Sequence, residues 1–87
     1  MVEKEVTVQL KTGLQARQAA LFVQEANHFS AEIYLQKDDR KVNAKSIMGV
    51  MSLAIAKGTD VVLLADGVDE QDAVDTLGEL IEKEEIV

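Results

Sequence analysis

The chain contains no cysteine, which excludes disulfide bridges, thiolate metal sites and cysteine nucleophiles. It contains one histidine, His28, so a transition-metal centre would lack most of its usual donors. No apolar run is long enough for a membrane span, and Glu3, Lys4 and Glu5 behind Met1 do not resemble a signal peptide. The cytoplasm is the expected location. Neither a Walker loop nor a Gly-x-Gly-x-x-Gly run occurs, and Asp66-Gly67-Val68-Asp69 does not continue as a calcium loop. Ser46 and Ser52 have no histidine near them in sequence to serve as base, so a hydrolase triad has no support. The expectation is a protein that is not an enzyme and carries no cofactor or metal.

What is present suits one small folded domain, expected to span residues 1–87. With 47% apolar residues the chain is no candidate for disorder, and its length allows a two-layer core but not two cores. The formal net charge of −7 argues against direct nucleic-acid binding, because phosphates would be repelled. Much of that charge is local: Asp66 to Glu85 holds nine carboxylates against Lys83 alone. A face for an acidic or phosphate group is therefore expected toward Lys11, Arg17, Lys37, Arg40, Lys41, Lys45 and Lys57.

Val2, Val6, Val8 and Leu10 alternate with Glu3, Glu5, Thr7, Gln9 and Lys11, the pattern of a half-buried strand. Thr12-Gly13 breaks it. Ala16, Ala19, Ala20, Val23 and Ala26 then recur at helical spacing to about Asn27, a stripe small enough to pack close to a sheet. His28 follows, a ring placed near the negative end of that helix and without an evident partner for base catalysis. A second strand covers Glu32 to Lys37, with Ile33 and Leu35 inward and Tyr34 outward. Asp38-Asp39 turns the chain into a short strand, Arg40 to Ala44.

A helix is expected from Ser46 to near Lys57-Gly58. Asp60 to Ala65 is apolar on both faces and reads as an interior strand. Gly67 turns the chain and Asp69 caps a last helix carrying Ala73, Leu77, Leu80 and Ile81. Asp69, Glu70 and Asp72 suit its positive start, whereas Glu82, Glu84 and Glu85 oppose its negative end and weaken the last turn. The order β-α-β-β-α-β-α describes an α+β sandwich, one sheet with helices on one side. No repeat, linker or low-complexity stretch interrupts it.

The most informative stretch is Asn43-Ala44-Lys45-Ser46-Ile47-Met48-Gly49-Val50-Met51-Ser52-Leu53. Ser46 occupies an N-cap position, and Ile47, Met48 and Met51 follow on one face. This pattern alone fits a plain cap over a core. It also fits a modifiable serine beside a soft apolar docking surface. Two helix starts, after Thr12-Gly13-Leu14-Gln15 and after Ser46, offer free N–H groups that favour phosphate, and Arg17 adds a guanidinium fork in the first turn.

The segments Thr12-Gly13-Leu14-Gln15-Ala16-Arg17-Gln18-Ala19-Ala20 and Asn43 to Met51 resemble the HPr family, the small phosphocarriers of the sugar phosphotransferase system. The resemblance covers essentially the whole chain. It implies an open-faced β-sandwich, a four-stranded antiparallel sheet with three helices on one face. In that family the first segment holds the phosphorylated histidine and the second a regulatory serine. Gln15 stands at the histidine position here, and Gln18 replaces a proline. A carboxamide nitrogen is not nucleophilic, because its lone pair is delocalised into the carbonyl, so phosphocarrier activity is expected to be absent.

Glutamine there with the serine segment intact is similar to the catabolite-repression branch of the family. That likeness implies phosphorylation of Ser46 by HPr kinase/phosphorylase and binding of the modified protein to catabolite control protein A, a LacI-type regulator. It also implies partner contacts through Gln15, Arg17, Ala20, Ile47, Met48 and Met51. The alternative function is the phosphocarrier itself. Acyl carrier protein is a further rival for a small acidic chain with a serine at a helix start. It is all-helical, which the Val2–Leu10 alternation and the Val61–Leu64 run oppose. A ferredoxin-like small-ligand domain would explain the element order but not the Ser46 segment. The first strand ends at a glycine, which leaves a strand-exchanged homodimer open.

Overall fold

The alternating N-terminal residues form strand β1 (Val2–Thr7), which pairs antiparallel with β4 (Asp60–Asp66) from Val2 opposite Ala65 to Thr7 opposite Asp60 in a computed structural model describing residues 1–84. The remaining elements are α1 (Ala16–Ala26), β2 (Glu32–Lys37), β3 (Arg40–Asn43), α2 (Ile47–Ser52) and α3 (Glu70–Glu82). The strands make one antiparallel sheet in the order β1-β4-β2-β3. The run apolar on both faces, Val61 to Leu64, is interior as expected, because both its edges are paired. Among the described residues no helix is long and apolar enough to cross a membrane.

The register decides which face meets the helices. Val6 opposes Val61, Leu35 opposes Leu63 and Val42, and Ile33 opposes Ala65. These residues share the inner face, where they pack with Phe22, Val23 and Ala26 of α1, Val50 of α2 and Val74, Leu77 and Ile81 of α3. Lys4 also points inward, at the rim, where its Nζ reaches Asp75 at 3.4 Å and its stem lies against Gly78. A lysine on an edge strand keeps that edge from pairing with other strands. The outer face is open. It carries Glu3, Glu5, Glu32 and Gln36, with Leu64 set between Glu3 and Tyr34 and the Lys41 ammonium 5.0 Å from the Tyr34 ring centre.

Several boundaries differ from those read in the sequence. The ladder of β1 stops at Thr7, although the inward alternation continues through the fully buried Val8 and Leu10. Beyond Thr7 the backbone turns to other partners. The Val8 amide donates to Thr59 O at 2.9 Å, that of Gln9 to Ile81 O at 2.9 Å and that of Lys11 to Glu84 O at 3.0 Å. The Gln9 bond satisfies a last-turn carbonyl of α3 that a helix leaves unpaired, and the Lys11 bond holds the segment just past the helix. Glu82 and Glu84 are exposed there, whereas Glu85 lies outside the described residues. In α1 the expected alanine stripe is rotated. Ala19, Val23 and Ala26 are buried, Ala16 and Ala20 are exposed, and Phe22, absent from that stripe, is fully buried.

Helix α2 ends at Ser52 and not near Lys57-Gly58. Ala54 takes a φ of +51, which stops the helix, and Leu53 and Ile55 turn into the core.

Asp69 sits at the N-cap position of α3 but caps another element. Its carboxylate accepts from the Ser30 and Ala31 amides, each at 2.9 Å, and so fixes the approach to β2. The Ser30 amide is the chief reason that its pKa lies below the usual carboxylate value. Glu70 is lowered too, first by the Gly67 amide that donates to it at 3.0 Å and then by the N-terminal ammonium. A carboxylate with a depressed folded pKa adds stability that is complete above its unfolded pKa and lost as pH falls through the folded one. Urea-unfolding midpoints are therefore expected to decline below about pH 4. Asp69→Asn should lower the neutral-pH midpoint and flatten that decline. An unchanged pH profile in the variant would contradict the role assigned to Asp69.

Candidate functional site

The site lies along the facing sides of α1 and α2, with the start of α1 against the segment leaving α2 and the start of α2 beside the later turns of α1. Gly13 adopts a φ of +68, and a Cβ there would lie 2.2 Å from Ile55 O, so only glycine permits this approach. The next residue, Leu14, is fully buried and donates its amide to the same Ile55 O at 3.0 Å. This bond ties the entrance of α1 to the segment leaving α2. Gln15 follows as the N-cap residue of α1, extended and exposed, and its side chain makes no capping bond. Its carbonyl accepts from the Gln18 amide at 3.0 Å. Ala16 has a φ of +46, and Arg17 begins the exposed side of the helix.

On the second element, Asn43 sets the direction of the chain. Its side-chain Oδ1 accepts from the Lys45 amide at 2.8 Å and its carbonyl from the Ser46 amide at 3.1 Å, an Asx-type turn. Ser46 is the N-cap, as its position in the sequence indicates. Its Oγ accepts from the Gly49 amide at 3.1 Å and its carbonyl from the Val50 amide at 3.0 Å. The side chain is half-buried. Val50 alone of α2 is buried, which leaves Ile47 44%, Met48 79% and Met51 42% exposed. Exposed large apolar residues side by side mark an interaction surface more often than isolated ones do.

A groove of about 390 Å³ runs between α1 and α2, lined by Arg17, Ala20, Leu21, Val23, Gln24, Asn27 and Ile47. The structure thus brings together three residues singled out in the sequence, Arg17, Ala20 and Ile47. Leu21, Gln24 and Asn27 were missed. Their spacing from Arg17, at steps of three and four, is the signal that could have found them. A larger hollow of about 490 Å³ lies on the open sheet face among Glu5, Thr7, Gln36, Asp38 and Asp60. In it Thr7 Oγ1 donates to Asp60 Oδ1 at 2.6 Å, and none of its lining residues belongs to the two signature segments.

The cations expected to form one phosphate-facing surface are divided. Lys37 and Arg40 donate to carbonyls at the end of α2, and Lys45 Nζ donates to Phe29 O at 2.7 Å. Lys11 faces Glu84, and Lys41 lies over Tyr34 on the opposite side of the sheet. Arg17 is the one of the seven that lines the groove. His28 Nδ1 meets Glu25 at 2.8 Å on the surface beyond α1, so the ring has a carboxylate partner but no place in the groove. Chemically the arrangement offers one half-buried hydroxyl at a helix start, an exposed guanidinium and an apolar rim.

Comparison with known proteins follows the same lines. The family described as "PTS HPr component phosphorylation site" matches residues 2–83. The HPr-like protein Crh of Halalkalibacterium halodurans is 64% identical over 84 residues, covering 97% of this chain and 100% of that one. The crystal structure of HPr-C-His from Thermoanaerobacter tengcongensis is similar with a TM-score of 0.90 at 54% identity, covering 94% of this chain and 92% of that one. The crystal structure of Bacillus subtilis Crh, a domain-swapped intertwined dimer, has a TM-score of 0.78 at 57% identity and 100% coverage of both chains.

Proposed function

The chain belongs to the HPr family, and on that premise we propose that it is a non-catalytic regulator of carbon catabolite repression, switched by phosphorylation of Ser46. HPr kinase/phosphorylase transfers the γ-phosphoryl group of ATP to Ser46 Oγ, which loses its proton as ADP departs. The modified protein then binds catabolite control protein A, a LacI-type regulator. Gln15, Arg17, Ala20, Ile47, Met48 and Met51 make the contact surface. The observation that carries this reading is the placement of the capping hydroxyl next to three exposed apolar side chains.

Phosphorylation adds about −1.5 to −2 charges and three strong acceptor oxygens. At a helix start these meet free N–H groups and a favourable dipole, so the fold accommodates them. The phosphate is then available to a cation on the partner, while Ile47, Met48 and Met51 supply apolar area. Methionine adapts to more than one surface, as two different partners require. Gln15 supports the exclusion of phosphocarrier activity, since it offers no nucleophilic lone pair to a phosphohistidine donor.

Incubation with HPr kinase/phosphorylase and ATP is expected to add one phosphate to the wild type and none to Ser46→Ala, read by intact-protein mass spectrometry. Acid-labile, base-stable phosphate passed from phosphoenolpyruvate through enzyme I would instead establish a phosphocarrier. A homodimer by exchange of β1 belongs to the same proposal. It is supported by the swapped relative and by the single paired edge of β1. Light scattering after size exclusion should find a dimer population, and a monomer at every concentration would remove this part.

A further inference from the structure

We infer that Lys37 and Arg40 are positioning residues for the docking helix, gripping the carbonyl end of α2 from the β2–β3 hairpin so that Met48 and Met51 stay presented to partners. The inference rests on the regulatory reading of Ser46. Helix α2 has six residues, and an isolated helix of that length does not persist in water. Its start is held by the Ser46 cap. Its end lacks the usual devices: the last turn carries no basic residue, and the left-handed position after Leu53 is filled by Ala54 and not by glycine.

Every carbonyl at that end nevertheless has a donor. Gly49 O accepts from Ser52 Oγ at 2.6 Å, Val50 O from the Leu53 amide at 3.3 Å and Met51 O from the Ala54 amide at 3.1 Å. Ser52 O accepts from Arg40 Nη1 at 2.9 Å. Leu53 O and Ala54 O accept from Lys37 Nζ at 3.1 and 3.4 Å. Arg40 Nη2 also donates to Ser52 Oγ at 3.2 Å, fixing the hydroxyl whose own proton goes to Gly49 O.

Two of these donors are cations at the negative end of a helix, which is the favourable sense of the dipole. Both come from a neighbouring hairpin and not from the helix. The hairpin therefore does for the end of α2 what Ser46 does for its start. Met51 is adjacent to Ser52, and Met48 lies about one turn earlier, so opening the last turn displaces the apolar rim. The same two cations are thereby withdrawn from any phosphate-binding face.

The test compares the full-length wild type with Lys37→Met/Arg40→Met and with the charge-conserving Lys37→Arg/Arg40→Lys. In the methionine variant, the Leu53 and Ala54 amides should exchange with deuterium about tenfold faster or more, while amides of β4 stay within about twofold. With HPr kinase/phosphorylase and ATP, KM for the protein should rise about five- to tenfold at unchanged kcat, because binding geometry and not chemistry is disturbed. The charge-conserving variant should restore most of both effects. Unchanged exchange at Leu53 and Ala54 would overturn the grip, and faster exchange with an unchanged KM would overturn its bearing on docking. If even the wild type accepts no phosphate, the regulatory reading fails and the docking role with it, while the exchange rates still decide whether the two cations hold the helix.

Discussion

Gly13→Ala should destabilise the protein by more than about 3 kcal/mol, a large share of the roughly 5–10 kcal/mol that a domain of this size possesses. Two costs add. A left-handed φ costs a residue with a Cβ about 1–2 kcal/mol, and Gly13 has a φ of +68. The new Cβ would also lie 2.2 Å from Ile55 O and 2.9 Å from Ala56 Cα, both backbone atoms with no rotamer to change. Relief requires the first turn of α1 to move away from the segment after α2, which breaks the 3.0 Å bond from Leu14 to Ile55 O. Gly58→Ala is the control. Its φ of +90 is also left-handed, but nothing lies within 4 Å of the added carbon, so it carries the backbone cost without the clash. Thermal melts should place Gly13→Ala more than about 15 °C below wild type and Gly58→Ala within about 11 °C. Equal shifts for the two would mean that the close approach at Gly13 is not what holds the start of α1 to the segment leaving α2.

Phosphorylation of Ser46 should raise affinity for the LacI-type partner by about 10- to 100-fold, the yield of one or two charge-assisted hydrogen bonds worth about 1.5–3 kcal/mol each, less what their ordering costs. The apolar rim sets the level from which that rise begins. Met48 is 79% exposed in the free protein, so truncating it leaves the fold intact, and a loss of binding reports on docking alone. Met48→Ala is expected to weaken the phosphorylated complex by about 10-fold, within the range of interface anchors, with an unchanged melting temperature. Arg17 lines the same groove, with a planar guanidinium of the kind suited to carboxylates.

How much of this was legible beforehand depended on the range of the interaction. The alternation from Val2 to Leu10 and the run Val61 to Leu64 specify a half-buried strand and an interior strand, because period and burial are written locally. Ser46 was equally legible as a cap, since its partner, Gly49, lies three residues away. The end of α2 was not. Leu53 and Ile55 continue an apolar pattern that suits a longer helix, and only the need of Leu14 for Ile55 O shows why the chain turns at Ala54. Asp69 looked like the cap of its own helix because Ser30 and Ala31 are 39 and 38 positions away. Lys37 and Arg40 looked like free cations for the same reason, their carbonyl partners being 12 to 17 residues distant. Phe22 was missed because the small residues around it defined a stripe without it. The groove between α1 and α2 is a tertiary feature. The sequence named Arg17, Ala20 and Ile47 as contacts and Val23 as part of an apolar stripe, while Leu21, Gln24 and Asn27 shared only a helical face with them. Gln15 carries no local signal at all, and its meaning comes from the family position it occupies.

The measurement closest to the central claim is a calorimetric titration of catabolite control protein A with unmodified protein and with protein phosphorylated to completion by HPr kinase/phosphorylase, with Ser46→Ala carried through the same treatment. Binding is expected to be about 10- to 100-fold tighter for the phosphorylated form, with the treated Ser46→Ala sample indistinguishable from unmodified wild type. Equal affinity for modified and unmodified protein would contradict it.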